Sequence, residues 1–123
     1  MSDPVANVSG VLATEPAVAA IVADRIYMAK AGQTAAPPFV VYQMISNVAG
    51  LQLSGRPTYD AQMFQVDAYS RDPVEARTLA FACRDALEGV AHVDRGPLDF
   101  GFEQLTKLHR WTLDAAFIWE RRA

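Results

Sequence analysis

Cysteine is nearly missing from this sequence. Cys83 stands alone among 123 residues, which excludes an intrachain disulfide and any metal site built on several thiolates. Histidine is almost as scarce, and neither His92 nor His109 has a second histidine or a cysteine at ligand spacing. No apolar run approaches the ~20 residues of a membrane-spanning helix. Positive charge is not in excess either: 11 Lys and Arg against 14 Asp and Glu give a net charge of −3. This balance disfavours a module that grips phosphates over a broad basic surface. The opening Met1-Ser2-Asp3-Pro4 lacks a basic flank followed by an apolar stretch, so no secretory signal is expected. Residues 50–55 are bounded by glycines but lack the lysine and following helix of a phosphate loop. Internal repeats and low-complexity segments are absent.

What is present is an ordinary globular composition. Apolar residues make up 51% of the chain, but 21 residues are alanine, so the large side chains suffice for one modest core. Charged residues at 20% place the chain outside the disordered class. A single domain over residues 1–123 is expected from the length.

Periodicity then divides the chain. Thr14 is placed as an N-cap, with Glu15 and Pro16 in the first turn, and Ala17, Val18, Ile21 and Val22 give a helical stripe that ends at Asp24-Arg25. A further helical turn or two is expected before it, through Leu12, weakened by Gly10. Residues 26–28 suit a brief strand and 29–38 a loop. Residues 39–46 form a strand, led by Pro37-Pro38, with Val40, Tyr42 and Met44 on one face and Val41, Gln43 and Ile45 on the other. Residues 61–70 form a second, in which Phe64, Val66 and Ala68 alternate with Gln65, Asp67 and Tyr69. Between them, 47–60 contains Gly50, Gly55 and Pro57 and is expected to be a long loop. A helix follows over 72–89, capped by Asp72 with Pro73 and Glu75 behind it in a capping-box-like start. Its stripe is Ala76, Leu79, Ala80, Cys83, Leu87 and Val90. A turn-rich stretch through Gly96-Pro97 leads to a weaker strand over 98–104, then a long one over 108–119.

This order predicts an α+β fold: a mainly antiparallel sheet with a long helix and a short N-terminal helix packed on one face. The covered face takes Phe64, Val66, Leu113 and Phe117. The other carries Gln43, Gln65, Asp67, Tyr69, Arg110, Thr112 and Asp114. Cys83, on an apolar stripe, is expected to behave as a small buried hydrophobe. Asp67 and Asp114 are either a carboxylate pair across neighbouring strands or, as expected here, surface groups that solvate the sheet or pair with Arg110. Tyr59, Met63, Tyr69, Ile118 and Trp119 are expected to leave apolar area exposed, as at an assembly surface.

Several segments, in order, resemble a known family. Residues 15–27, running from Glu15-Pro16 to Asp24-Arg25-Ile26-Tyr27, are similar to the opening of the tail-completion, or tail-terminator, family of long-tailed bacteriophages. Pro37-Pro38-Phe39-Val40-Val41-Tyr42-Gln43 resembles its proline-led first long strand, and Phe64-Gln65-Val66-Asp67-Ala68-Tyr69-Ser70 its central strand. The helix from Glu75 through Leu87 and the strand Leu108-His109-Arg110-Trp111-Thr112-Leu113-Asp114 match in character. The likeness runs from about residue 14 to the end of the chain.

The resemblance implies a non-enzymatic virion protein that caps the tail tube as a ring, usually a homohexamer, stops tube polymerisation and joins the tail to the head. Its partners would then be further copies of itself, the tail tube protein and a head-side connector or stopper, with DNA only passing through the lumen. No cofactor, metal or membrane is implied. Candidate assembly contacts are Leu51, Leu53, Arg56 and Tyr59 in the expected loop, Gln65, Asp67, Tyr69 and Arg110 on the open sheet face, and Trp119 near the end. Two alternatives are another connector or tube component, and a small ligand-binding or catalytic domain using Asp67, Asp114 and His109.

Overall fold

A computed structural model describes residues 4–29, 36–51 and 57–120. The elements run α1 (Pro4–Thr14), α2 (Pro16–Val22), β1 (Ile26–Met28), β2 (Phe39–Leu51), β3 (Pro57–Ser70), α3 (Pro73–Glu88), β4 (His92–Glu103) and β5 (Leu108–Glu120). The strands form one sheet in the order β1-β2-β3-β5-β4, with β1 parallel to β2 and every other pair antiparallel. The α+β class and the mainly antiparallel sheet are as the patterning predicts.

The helices lie on one face because their apolar stripes match the even positions of β2 and β3 and the odd positions of β5. Val8 and Leu12 of α1, Val18 and Val22 of α2, and Leu79, Cys83 and Leu87 of α3 are all fully buried. They join Val40, Tyr42, Phe64, Val66, Ala68, Leu113, Ala115 and Phe117 in one core. Phe64 and Phe117 meet edge to face at its centre, with ring centroids 5.5 Å apart. Burial pushes the Cys83 thiol up to about 12, so it stays protonated and apolar.

The start of α3 is held much as its sequence suggests. The Asp72 carboxylate accepts from the Val74 N–H at 2.9 Å, and Pro73 opens the helix. The return half of the box is relayed. Ser70 Oγ accepts the Asp72 N–H at 3.0 Å and donates to Glu75 Oε1 at 2.8 Å, so the buried serine stands between cap and glutamate.

Several expectations are corrected. Thr14 does not cap α2; it ends α1, where its hydroxyl donates to the carbonyls of Gly10 and Val11, and the cap position falls to Glu15 without a side-chain bond. The first helix spans 11 residues despite Gly10, because Val8 and Leu12 are buried on α3 and packing overrides propensity. Ala17 is exposed, as is Val90, which follows the helix instead of continuing its stripe. Met44 is also exposed, at the point where a bulge interrupts β2 between Met44 and Ser46.

The largest correction concerns 47–60. This segment is not a long loop: β2 continues to Leu51 and β3 begins at Pro57, with paired residues from Ser46↔Met63 to Leu51↔Pro57. Gly50 and Pro57 read as loop signals, but Gly50 lies inside the ladder and Pro57 opens a strand, where a missing N–H is tolerated. Likewise β4 begins at His92, and Gly96-Pro97 lies within it at an irregularity of the ladder. Gly96 has φ +91°, and a Cβ there would come within 2.6 Å of the Thr112 carbonyl. Only glycine allows β4 to stay this close to β5 at that point.

Candidate functional site

The helix-free face of the sheet carries the polar and aromatic residues singled out above. Three rows cross it in register: Phe39, Tyr69, Arg110 and Gly101; Val41, Asp67, Thr112 and Leu98; Gln43, Gln65, Asp114 and Arg95. Alternation along each strand puts these residues on one side. Tyr27 on β1 lies opposite Val41, and its ring reaches Phe39, so that Tyr27, Phe39 and Tyr69 form an aromatic series with centroids 6.0 Å and then 5.0 Å apart. Arg110 continues it, stacking its guanidinium 4.9 Å from the centre of the Phe100 ring.

Asp67 is the polar centre of this face. It is only 4% exposed, and its carboxylate accepts from Thr112 Oγ1 at 2.6 Å and from Gln65 Nε2 at 3.1 and 3.2 Å. Arg110 approaches the same carboxylate at 3.3 Å and donates through Nε to Thr112 Oγ1 at 3.2 Å. The hydroxyl of Thr112 thus accepts from the guanidinium and donates to the carboxylate, closing a four-residue network. Beside it, burial first and then the Asp67 charge raise the Tyr69 phenol above its usual value; Arg110 opposes this and Glu103 adds to it. A shallow concavity of about 330 Å³ opens over Phe39, Val41, Asp67, Tyr69, Leu108 and Arg110.

Of the expected site residues, the structure brings together Gln65, Asp67, Tyr69 and Arg110. Pairing of Asp67 with Arg110 is found, but Asp67 and Asp114 do not solvate the surface: both are buried. Nor do they form a carboxylate pair, since Asp67 lies opposite Thr112 and Asp114 opposite Gln65. Asp114 instead binds Arg95 at 3.0 Å through one oxygen. His109 alternates away from Arg110 and packs against Phe102, with ring centroids 4.8 Å apart, so Asp67, Asp114 and His109 do not share a site. Leu51 and Tyr59 lie on β2 and β3, and Trp119 on β5 pairs with Asp60 beside Tyr59. These three therefore cluster at the far end of the sheet, about 33 Å along β3 from Tyr69 at ~3.3 Å per residue. Leu53 and Arg56 fall outside the described residues.

The exposed apolar edge was not singled out in advance. Leu98, Phe100 and Phe102 of β4 are 42%, 52% and 43% exposed, and Leu105 in the following turn is 93% exposed. The signal was present in Leu98-Asp99-Phe100-Gly101-Phe102, where large apolar residues alternate with small or polar ones on a strand that has one neighbour. Phe100 sits at a second bulge, between Asp99 and Gly101, which turns it over Arg110.

Chemically, the network is saturated and not poised. Both Asp67 oxygens already hold donors, and Cys83 is fully buried in the core. Among the described residues no three His, Cys, Asp or Glu are grouped to hold a metal, and no helix is long and apolar enough to cross a membrane. The arrangement presents a shaped surface of aromatic rings, one guanidinium and apolar edge residues.

Comparison with known proteins places the chain in a family. Residues 6–120 match the family model of the tail completion protein gp17. No curated protein matches. Among solved structures, a chain of the virion of a native gene transfer agent particle shares the fold, with a TM-score of 0.70 over 93% of this chain and 92% of that one, at 18% identity. The match to the family model spans nearly the whole described chain; the protein belongs to the tail completion protein gp17 family and is a structural protein of the phage tail.

Proposed function

We propose that this protein closes the tail tube: copies assemble as a ring, usually of six, on the last layer of the tube, end its polymerisation and present a surface to the head-side connector. DNA passes through the lumen without being held, and no reaction or cofactor is involved. The observation that carries this reading is the helix-free sheet face bordered by the exposed apolar edge of β4. The buried Asp67 network ties its donors and acceptors to one another and so fixes the shape of the face. Leu98 and Phe100, with Tyr69 and Arg110, have the aromatic, apolar and arginine character of an interface core. Contacts between unlike surfaces of identical subunits close into a ring when the rotation fits. The fold shared with a chain of a gene transfer agent virion supports a phage-like particle as the setting.

Particles assembled without the protein are expected to carry tails of irregular, excessive length that fail to join heads, measured by electron microscopy of purified tails. Tails of normal length that still fail to join would instead favour a connector role. Normal length with normal joining would overturn the proposal.

A further inference from the structure

We propose that the projecting end of β2, β3 and β5 in one copy packs on the helix-free sheet face of the next copy, against Tyr69, Arg110, Leu98 and Phe100. This rests on the ring reading above and names which surfaces meet. Three strands outrun their neighbours. β1 stops at Met28↔Tyr42 and β4 at His92↔Ala116, whereas β2 and β3 stay paired to Leu51↔Pro57, and β3 and β5 to Tyr59↔Glu120. The result is a three-stranded arm. Where it leaves the body, Met44 and Ile45 are 47% and 46% exposed.

The composition of the arm does not suit water. Among the arm residues 46–51, 57–62 and 117–120 the charged ones are Asp60 and Glu120. Val48, Leu51, Tyr59, Ile118 and Trp119 all belong to it. A short ribbon of strands is marginally stable unless an apolar face is covered. Its cover cannot be the open face of the same chain, because that apolar strip lies at the opposite end of the sheet, about 33 Å away along β3. A second copy, displaced by one subunit, brings the arm of one to the strip of the other. Donor and acceptor are then different surfaces, which is the heterologous contact that closes rings. The three register irregularities of β4 favour this face-on contact, since they spoil the outer edge for the addition of a strand.

The test uses particles produced from a mixture of two variants, Thr58→Cys on the arm and Leu98→Cys on the strip, both chosen to melt like the wild type. Cys83 is fully buried and stays in place. A short bis-maleimide added to purified particles is expected to yield a covalent dimer from the mixture and none from either variant alone. Thr106→Cys, on the rim of the concavity, serves as a second acceptor position. Self-linking of Thr58→Cys, or no dimer at either acceptor in particles that contain both variants, would overturn the inference and leave tube closure standing. Failure of the wild-type protein to enter particles would overturn both.

Discussion

Phe64→Ala is expected to destabilise the isolated chain by about 3–5 kcal/mol, and Leu79→Ala by about 2–5 kcal/mol, in chemical denaturation. Phe64 is fully buried on the central strand and meets Phe117 edge to face, so its removal takes away apolar area and an aromatic pair together. Leu79 is fully buried on the facing side of α3, and both belong to the same core. The two substitutions are therefore coupled, and the double variant should depart measurably from the sum. Many other core positions are alanine (Ala68, Ala80, Ala82 and Ala115), so few large residues carry the packing and each matters more. A loss under about half a kcal/mol at both positions would mean that α3 does not pack on β3 and β5 as described.

Asp67→Ala should cost about 2–4 kcal/mol, through the loss of bonds to a charged acceptor and the stranding of a buried donor. Thr112 is 2% exposed and has Asp67 as its acceptor, so its hydroxyl is left without one. Arg110→Ala should cost far less, because that guanidinium is about one-third exposed and can be solvated. The same two variants separate shape from charge in assembly. If the network exists to hold Arg110 over Phe100, Arg110→Ala should weaken incorporation into particles while leaving the melting temperature nearly unchanged. Equal destabilisation by both would show that the pair acts as a buried ion pair in folding and not as a fixed surface group.

The legible part of this fold was the part in which one element obeys one period. In α3 the cap, the first-turn proline and glutamate and the stripe through Leu87 agree, and the structure follows all of them. Alternation along 61–70 likewise sorted Phe64 and Val66 to the core and Asp67 and Tyr69 to the open face. The extent of the strands was less legible because glycine and proline mark turns only when no neighbouring strand offers a ladder. Gly50, Pro57 and Gly96-Pro97 all lie beside strands that do. Burial of Asp67 was illegible for a related reason. A polar residue at alternate spacing reads as solvated, and its concealment depends on Thr112, 45 residues away, and on the side chains of Gln65 and Arg110. The exposed apolar edge at Leu98–Phe102 was legible as a pattern, but its exposure follows from β4 being last in the sheet, which is a matter of topology.

The buried thiol of Cys83 has a consequence for the life of a virion component. The protein is a component of the virion tail. With its sulfur inaccessible, protonated at any ordinary pH and without a second cysteine in the chain, the folded subunit presents no thiol to oxidise. The fit of the subunit to its neighbours then does not depend on the redox state of a cysteine.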